Sequence, residues 1–124
     1  MRRKVAILGA GNVGATVAQL IVKSGIADVV LYDIVEGMPQ GKALDMLEAT
    51  SLWNVDTKVY GTNRIEDIKG ADIVVICAGA TRKPGMSRDD LLTINMKVII
   101  SVSKSLPKLC NSAIVIVVTN PMDA

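Results

Sequence analysis

The chain has 124 residues, with 14 Lys and Arg against 12 Asp and Glu, for a formal net charge of +2. That length suits one domain or a piece of a larger protein, and so balanced a charge, with no basic run, argues against nucleic acid as a partner. Half the residues are hydrophobic, which excludes disorder. Histidine is absent, which removes imidazole acid–base chemistry and His metal ligands from anything the chain does alone.

The start, MRRKVAILGAG, has the basic opening of a signal peptide. Its apolar stretch breaks at Gly9, Gly11 and Asn12, however, and no small-x-small cleavage site follows. Between Val5 and Val22, the residues Asn12, Thr16 and Gln19 together with Gly9, Gly11 and Gly14 make a poor membrane span. Cys77 and Cys110 are neither a CxxC pair nor a zinc set, and they fit a reduced compartment. The expectation is a soluble, cytoplasmic chain with no metal site and no membrane partner.

In chain order, residues 4–8 (KVAIL), 29–32 (VVLY), 73–78 (IVVICA) and 113–118 (AIVIVV) are short aliphatic runs rich in β-branched residues, as buried parallel strands require. A weaker strand at 58–60 precedes the turn Gly61-Thr62-Asn63. Helical periodicity lies between them. Residues 13–23 carry the stripe Val13, Val17, Leu20, Ile21 and close on Ser24-Gly25. Residues 38–48 place Ala43, Leu44 and Leu47 on one face, with Pro39 in the first turn. Residues 87–105 read as a long helix with Ser87 as N-cap, Asp89 and Asp90 at the positive end, and Pro107 as its stop. The alternation predicts an α/β fold, a doubly wound parallel sheet of the Rossmann type with helices on both faces, occupying residues 1–124 as one domain.

Gly9-Ala10-Gly11-Asn12-Val13-Gly14 follows a predicted strand and opens a predicted helix, the context that gives G-x-G-x-x-G its meaning. Gly9 would permit the tight turn, Gly11 the approach of a pyrophosphate, and Gly14 close packing of helix on strand. The unpaired N–H groups of the first helical turn would then face the phosphates. A ligand-free strand-to-helix turn would satisfy the same spacing. Asp33 ends the second strand about 20 residues further on, where a carboxylate can bond both hydroxyls of the adenosine ribose. It would also repel a 2′-phosphate, and Ile34 beside it offers no compensating cation, so NAD is favoured over NADP. Without the glycines, Asp33 would read only as a polar strand end.

After the strand at 73–78 comes Gly79-Ala80-Thr81-Arg82-Lys83-Pro84-Gly85-Met86-Ser87-Arg88, with no acid until Asp89. Such a loop leaves the carboxyl edge of a doubly wound sheet, where ligands sit. Its glycines would let it move, and the planar fork of an arginine suits a carboxylate. A solvated basic surface loop explains the same residues. The last strand ends Val118-Thr119-Asn120-Pro121; Asn120 can present its amide to a cofactor or substrate oxygen, and a cis Asn120–Pro121 bond is expected. A plain Asn-Pro turn accounts for it equally well.

Together, VAILGAGNVG, YDIVEGMPQGKALD, DIVVICAGATRKPGMSRDDLL and VTNPMD resemble the malate dehydrogenases of the lactate-dehydrogenase-like group, over the whole chain. The resemblance implies that Gly9, Ala10, Gly11, Asn12, Val13 and Gly14 hold the pyrophosphate and Asp33 the ribose of NAD. It implies that Asn95, Val118, Thr119 and Asn120 complete the cofactor contacts. Arg88 would be the closing-loop arginine that polarises the substrate carbonyl, and Asn120 would touch substrate as well as the nicotinamide side. Arg82 would pair with the distal carboxylate of malate or oxaloacetate; lactate dehydrogenases usually carry an uncharged residue there. Pyruvate would leave that guanidinium dehydrated and unmatched, a cost of a few kcal/mol.

The family's chemistry further requires a histidine, an aspartate orienting it and another arginine, all beyond the position of Asn120. The catalytic set is therefore incomplete here, and the resemblance implies the cofactor-binding half, truncated before a sixth strand and the substrate domain and inactive alone. The parent is expected as a homo-oligomer through the helix after Gly37, or the chain as one paired with a missing C-terminal half along the edge strand 113–118. Two other readings stand beside it: a free-standing NAD-binding module, and a lactate dehydrogenase of relaxed specificity.

Overall fold

The computed structural model describes residues 2–124. Five parallel strands form one sheet: β1 (Arg3–Leu8), β2 (Ala27–Tyr32), β3 (Val59–Thr62), β4 (Ile73–Ile76) and β5 (Ile114–Val117), in the spatial order β3-β2-β1-β4-β5. The chain runs outward from β1 through β2 to β3, then crosses back to lay β4 on the other side of β1. The reversal leaves a crevice beyond the carboxyl ends of β1 and β4, where ligands of doubly wound sheets bind.

Alternation along β1 explains why its four buried residues, Val5 to Leu8, are all apolar. Val5 and Ile7 join a core with Val29, Leu31 and Val59, capped by Ala18 and Val22 of α1 (Asn12–Ser24) and by Ala43 and Met46 of α2 (Met38–Trp53). Ala6 and Leu8 face the opposite way, into a core with Val30, Val74, Ile76, Ile68 and Leu106. The second face is covered by a 3₁₀ turn (Ile65–Ile68), α3 (Arg88–Ser103) and the short α4 (Leu106–Leu109). Each fully buried aliphatic side chain contributes about 1.5–3 kcal/mol, so the central strands carry most of the stability.

The helices differ from expectation in phase and in length. α1 buries Gly14, Ala18 and Val22, while Val13 and Leu20 of the expected stripe are exposed. The small residues win the sheet-facing side because helix and strand approach closely there: a Cβ on Gly14 would lie 1.7 Å from the Gly9 carbonyl oxygen. α2 extends to Trp53 and buries Pro39, Ala43 and Met46, leaving Leu44 and Leu47 in solvent. Its docking is set by β3, where a Cβ on Gly61 would stand 2.1 Å from the Pro39 backbone. α3 ends at Ser103, before Pro107, which sits instead in the first turn of α4. β5 forms the sheet edge as expected, but it is not the buried strand its aliphatic run suggested: paired only with β4, it leaves Ile114, Val115, Ile116 and Val117 all exposed.

Candidate nucleotide and substrate site

The glycine turn lies at the top of β1. Gly9 adopts φ +110°, accessible mainly to glycine, and donates its N–H to the Tyr32 carbonyl at 2.8 Å. A Cβ there would strike the Cys77–Ala78 backbone at 2.6–2.8 Å. Gly11 is the N-cap of α1 with no side-chain cap, so the first-turn amides remain available to an outside acceptor. Its own Cβ position is open space, so the surface over the helix start is bare backbone.

Asp33, one residue past β2, accepts the Ala10 N–H on Oδ2 at 2.7 Å and the Val35 N–H on Oδ1 at 3.0 Å. Each carboxylate oxygen has a second lone pair, so capacity remains for two hydroxyls. The carboxylate thus ties the glycine turn to β2 while facing a cleft that Gly9, Gly11, Tyr32, Ile34, Val35 and Met38 also line.

A second cleft of about 680 Å³ continues along the same rim, bounded by Val13, Arg82, Arg88, Asn95, Thr119 and Asn120. Cys77, Gly79 and Ala80 line both. Burial pushes the Cys77 thiol up, so it forms an uncharged wall between them. Of the sequence-predicted residues, Gly9, Gly11, Val13, Asp33, Arg82, Arg88, Asn95, Val118, Thr119 and Asn120 line one or other cleft, while Ala10, Asn12 and Gly14 line neither. The exposed Val13 contributes to the wall and not to the core.

Asn95 sits on α3 and is only 3% exposed. Its Oδ1 accepts the Ala80 N–H at 2.7 Å, and its Nδ2 donates to the Asn120 carbonyl at 2.5 Å. It fastens the start of the cationic loop to the segment that follows β5. Thr119 is similarly engaged, donating its hydroxyl to the Ala78 carbonyl at 2.6 Å. The Asn120–Pro121 peptide is cis, as expected.

The loop itself closes on a β-turn, Lys83 to Met86, with the Met86 N–H donated to the Lys83 carbonyl at 3.0 Å. Pro84 and a left-handed Gly85 (φ +83°) occupy its middle, as a type II turn demands. Arg82 donates from Nε to the Met86 carbonyl at 3.0 Å, and its side chain is otherwise exposed at the rim. Arg88 pairs through Nη2 with Asp123 Oδ1 at 2.5 Å, and that guanidinium holds the Asp123 carboxyl below the usual carboxylate range.

Two contacts lay outside sequence reasoning. Lys42 of α2 donates from Nζ to the Ala10 carbonyl at 2.6 Å, and Asp123 meets Arg88. Both are long-range pairs whose spacing carries no motif; only the fold brings them together.

A dinucleotide suits these residues, since the bare amides at Gly11, the carboxylate at the end of β2 and the continuous cleft match its diphosphate, ribose and length in turn. Fold and site define a Rossmann-type dinucleotide-binding domain. Residues 3–124 match the family model for the lactate/malate dehydrogenase NAD-binding domain, and the chain belongs to that family. It is 54% identical to a malate dehydrogenase of Thermomicrobium roseum over 124 residues, all of this chain and 40% of that protein. The crystal structure of Cryptosporidium parvum malate dehydrogenase superposes with a TM-score of 0.92 at 45% identity, covering 98% of this chain and 38% of that one. A lactate dehydrogenase of the same organism, solved with lactic acid and nicotinamide adenine dinucleotide, gives a TM-score of 0.92 at 43% identity, with 98% and 38% covered. The chain thus spans about 40% of the length of the curated relatives it matches. Among the described residues, no helix is long and apolar enough to cross a membrane.

Proposed function

We propose that this chain is the cofactor-binding domain, residues 1–124, of an NAD-dependent malate dehydrogenase, which moves hydride between a nicotinamide and the hydroxyl carbon of malate. The observation that carries the reading is that two guanidinium groups and the glycine turn line one continuous rim at the switch point of the sheet. Gly9 to Gly14 hold the diphosphate and Asp33 the adenosine ribose. Asn95 acts with Val118, Thr119 and Asn120 as the nicotinamide-side wall. When bound, the nicotinamide supplies hydride transfer.

Arg82 grips the distal carboxylate of a dicarboxylic substrate. Arg88 leaves Asp123 to polarise the carbonyl, and Asn120 orients it. No residue of the chain offers an imidazole for proton exchange at the hydroxyl. The fold serves malate and lactate dehydrogenases alike, and in this reading Arg82 is what would separate them: pyruvate's methyl would leave the guanidinium unpaired in a closed site.

Copies of the chain associate through α2, a reading supported by the solvent-facing Leu44 and Leu47. The free thiols Cys77 and Cys110 support a cytoplasmic location.

The test is Arg82→Gln in the protein carrying its substrate domain. The kcat/KM for oxaloacetate should fall at least about a hundredfold while that for pyruvate rises. An unchanged ratio of the two would overturn the substrate assignment.

A further inference from the structure

Two successive peptide planes at the glycine turn are held from outside. In the first, Gly9–Ala10, the N–H goes to Asp33 Oδ2 and the carbonyl oxygen packs against Gly14, where no Cβ would fit. In the second, Ala10–Gly11, the carbonyl oxygen takes the Lys42 ammonium at 2.6 Å. A trans peptide points its C=O and N–H in opposite directions, so gripping the carbonyl fixes where the Gly11 N–H aims. Among the described residues none accepts that N–H, and the space at the Gly11 Cβ position is open.

An ammonium on the carbonyl also draws electron density from the amide, which makes its N–H a stronger donor to an anion. Lys42 is half-buried on α2, and its residue is absent from the lining of both clefts. It reaches the loop through the Ala10 carbonyl and not from the wall of either cleft. Neighbouring geometry agrees: Asp33 aligns one plane and Lys42 the next, from different elements, so the turn is set before any ligand arrives.

We propose that Lys42 is a positioning residue of the dinucleotide site, which aims and polarises the Gly11 N–H toward the diphosphate by holding the Ala10 carbonyl. This deepens the proposed function and rests on it. The adenosine end of the ligand, handled by Asp33 and the apolar cleft beside it, lies outside its influence.

The test titrates the protein carrying its substrate domain with NADH, ADP-ribose and adenosine by calorimetry, for wild type, Lys42→Met, Lys42→Gln and Lys42→Arg. Removing a charge-assisted hydrogen bond should raise the Kd of NADH and ADP-ribose about tenfold in Lys42→Met, with adenosine unchanged within about twofold. Lys42→Arg, which keeps the cation, should recover most of the loss. If Lys42→Met fails to fold, Lys42→Gln gives the same split.

NADH binding equal to wild type in the neutral variants would overturn the proposal. So would an equal loss for adenosine and ADP-ribose, which marks general damage to the turn. Wild-type protein that binds adenosine but gains nothing from the diphosphate would overturn the dinucleotide reading itself.

Discussion

Gly11 and Gly14 stand three residues apart and answer opposite constraints. At Gly14 the protein fills the Cβ position with its own backbone; at Gly11 that position is empty and the backbone is ordinary, φ −68° and ψ −164°. Gly14→Ala should therefore destabilise the fold by about 3 kcal/mol or more, because backbone cannot yield as a side chain does. Gly11→Ala should leave stability unchanged or raise it by about 0.5 kcal/mol, since alanine restricts the unfolded chain. Its methyl would stand on the surface offered to the diphosphate, so NADH affinity should drop sharply. Urea unfolding and NADH titration of the two variants separate the roles. The glycines and Asp33 were readable because their constraint lies within one strand-turn-helix unit and its neighbour. Lys42 was not, since its partner lies 32 residues away, nor was Asp123, 35 residues from Arg88.

The start of α3 is fixed by a capping box: Ser87 Oγ accepts the Asp90 N–H at 3.1 Å, and Asp90 Oδ2 accepts the Ser87 N–H at 3.0 Å. That bond to the Ser87 amide holds the Asp90 carboxyl below its usual range. Ser87→Ala should cost about 1 kcal/mol in urea unfolding and speed amide exchange at the first turn of α3. Ser87 was legible as a cap because capping is local chemistry. Helix faces were less so. The apolar residues of α1 outnumber the places in its core-facing stripe, and only the close approach at Gly14 decides which are buried. The expected face of α2 failed for a related reason, as Pro39 against Gly61 sets its rotation on β3.

For the molecule as a whole, four aspartates anchor separate pieces of chain. Asp56 binds Arg2, Asp72 takes the Lys4 N–H and Arg3, and Asp90 and Asp123 hold α3 and Arg88. All four carboxyls are held below the ordinary value by hydrogen bonds, chiefly from those partners. Their folded values lie under their unfolded ones, so their contribution is present above about pH 4 and drains away as pH falls further. With no histidine, no side chain of ordinary pKa titrates between about pH 5 and 8. Cys77 and Tyr32 are raised, mainly by burial, so their protonated forms favour the fold and stability declines on the alkaline side. Urea midpoints against pH should show a plateau between about 5 and 8, falling at both ends. The sheet, its direction and its binding rim were legible as one pattern, because alternating aliphatic runs and helices admit few other arrangements.

The hold of Asn95 on Ala80 has a mechanical consequence. Ala80 is pinned by its N–H and Ser87 by the helix cap, so only residues 81–86 lie between the two anchors, roughly 20 Å at full stretch. Arg82 sits two residues from the first anchor, and its Cα can wander no more than about 7 Å from it. The charge proposed to choose between one carboxylate and two is thus on a short leash, and the length of that leash is set by an asparagine amide behind it.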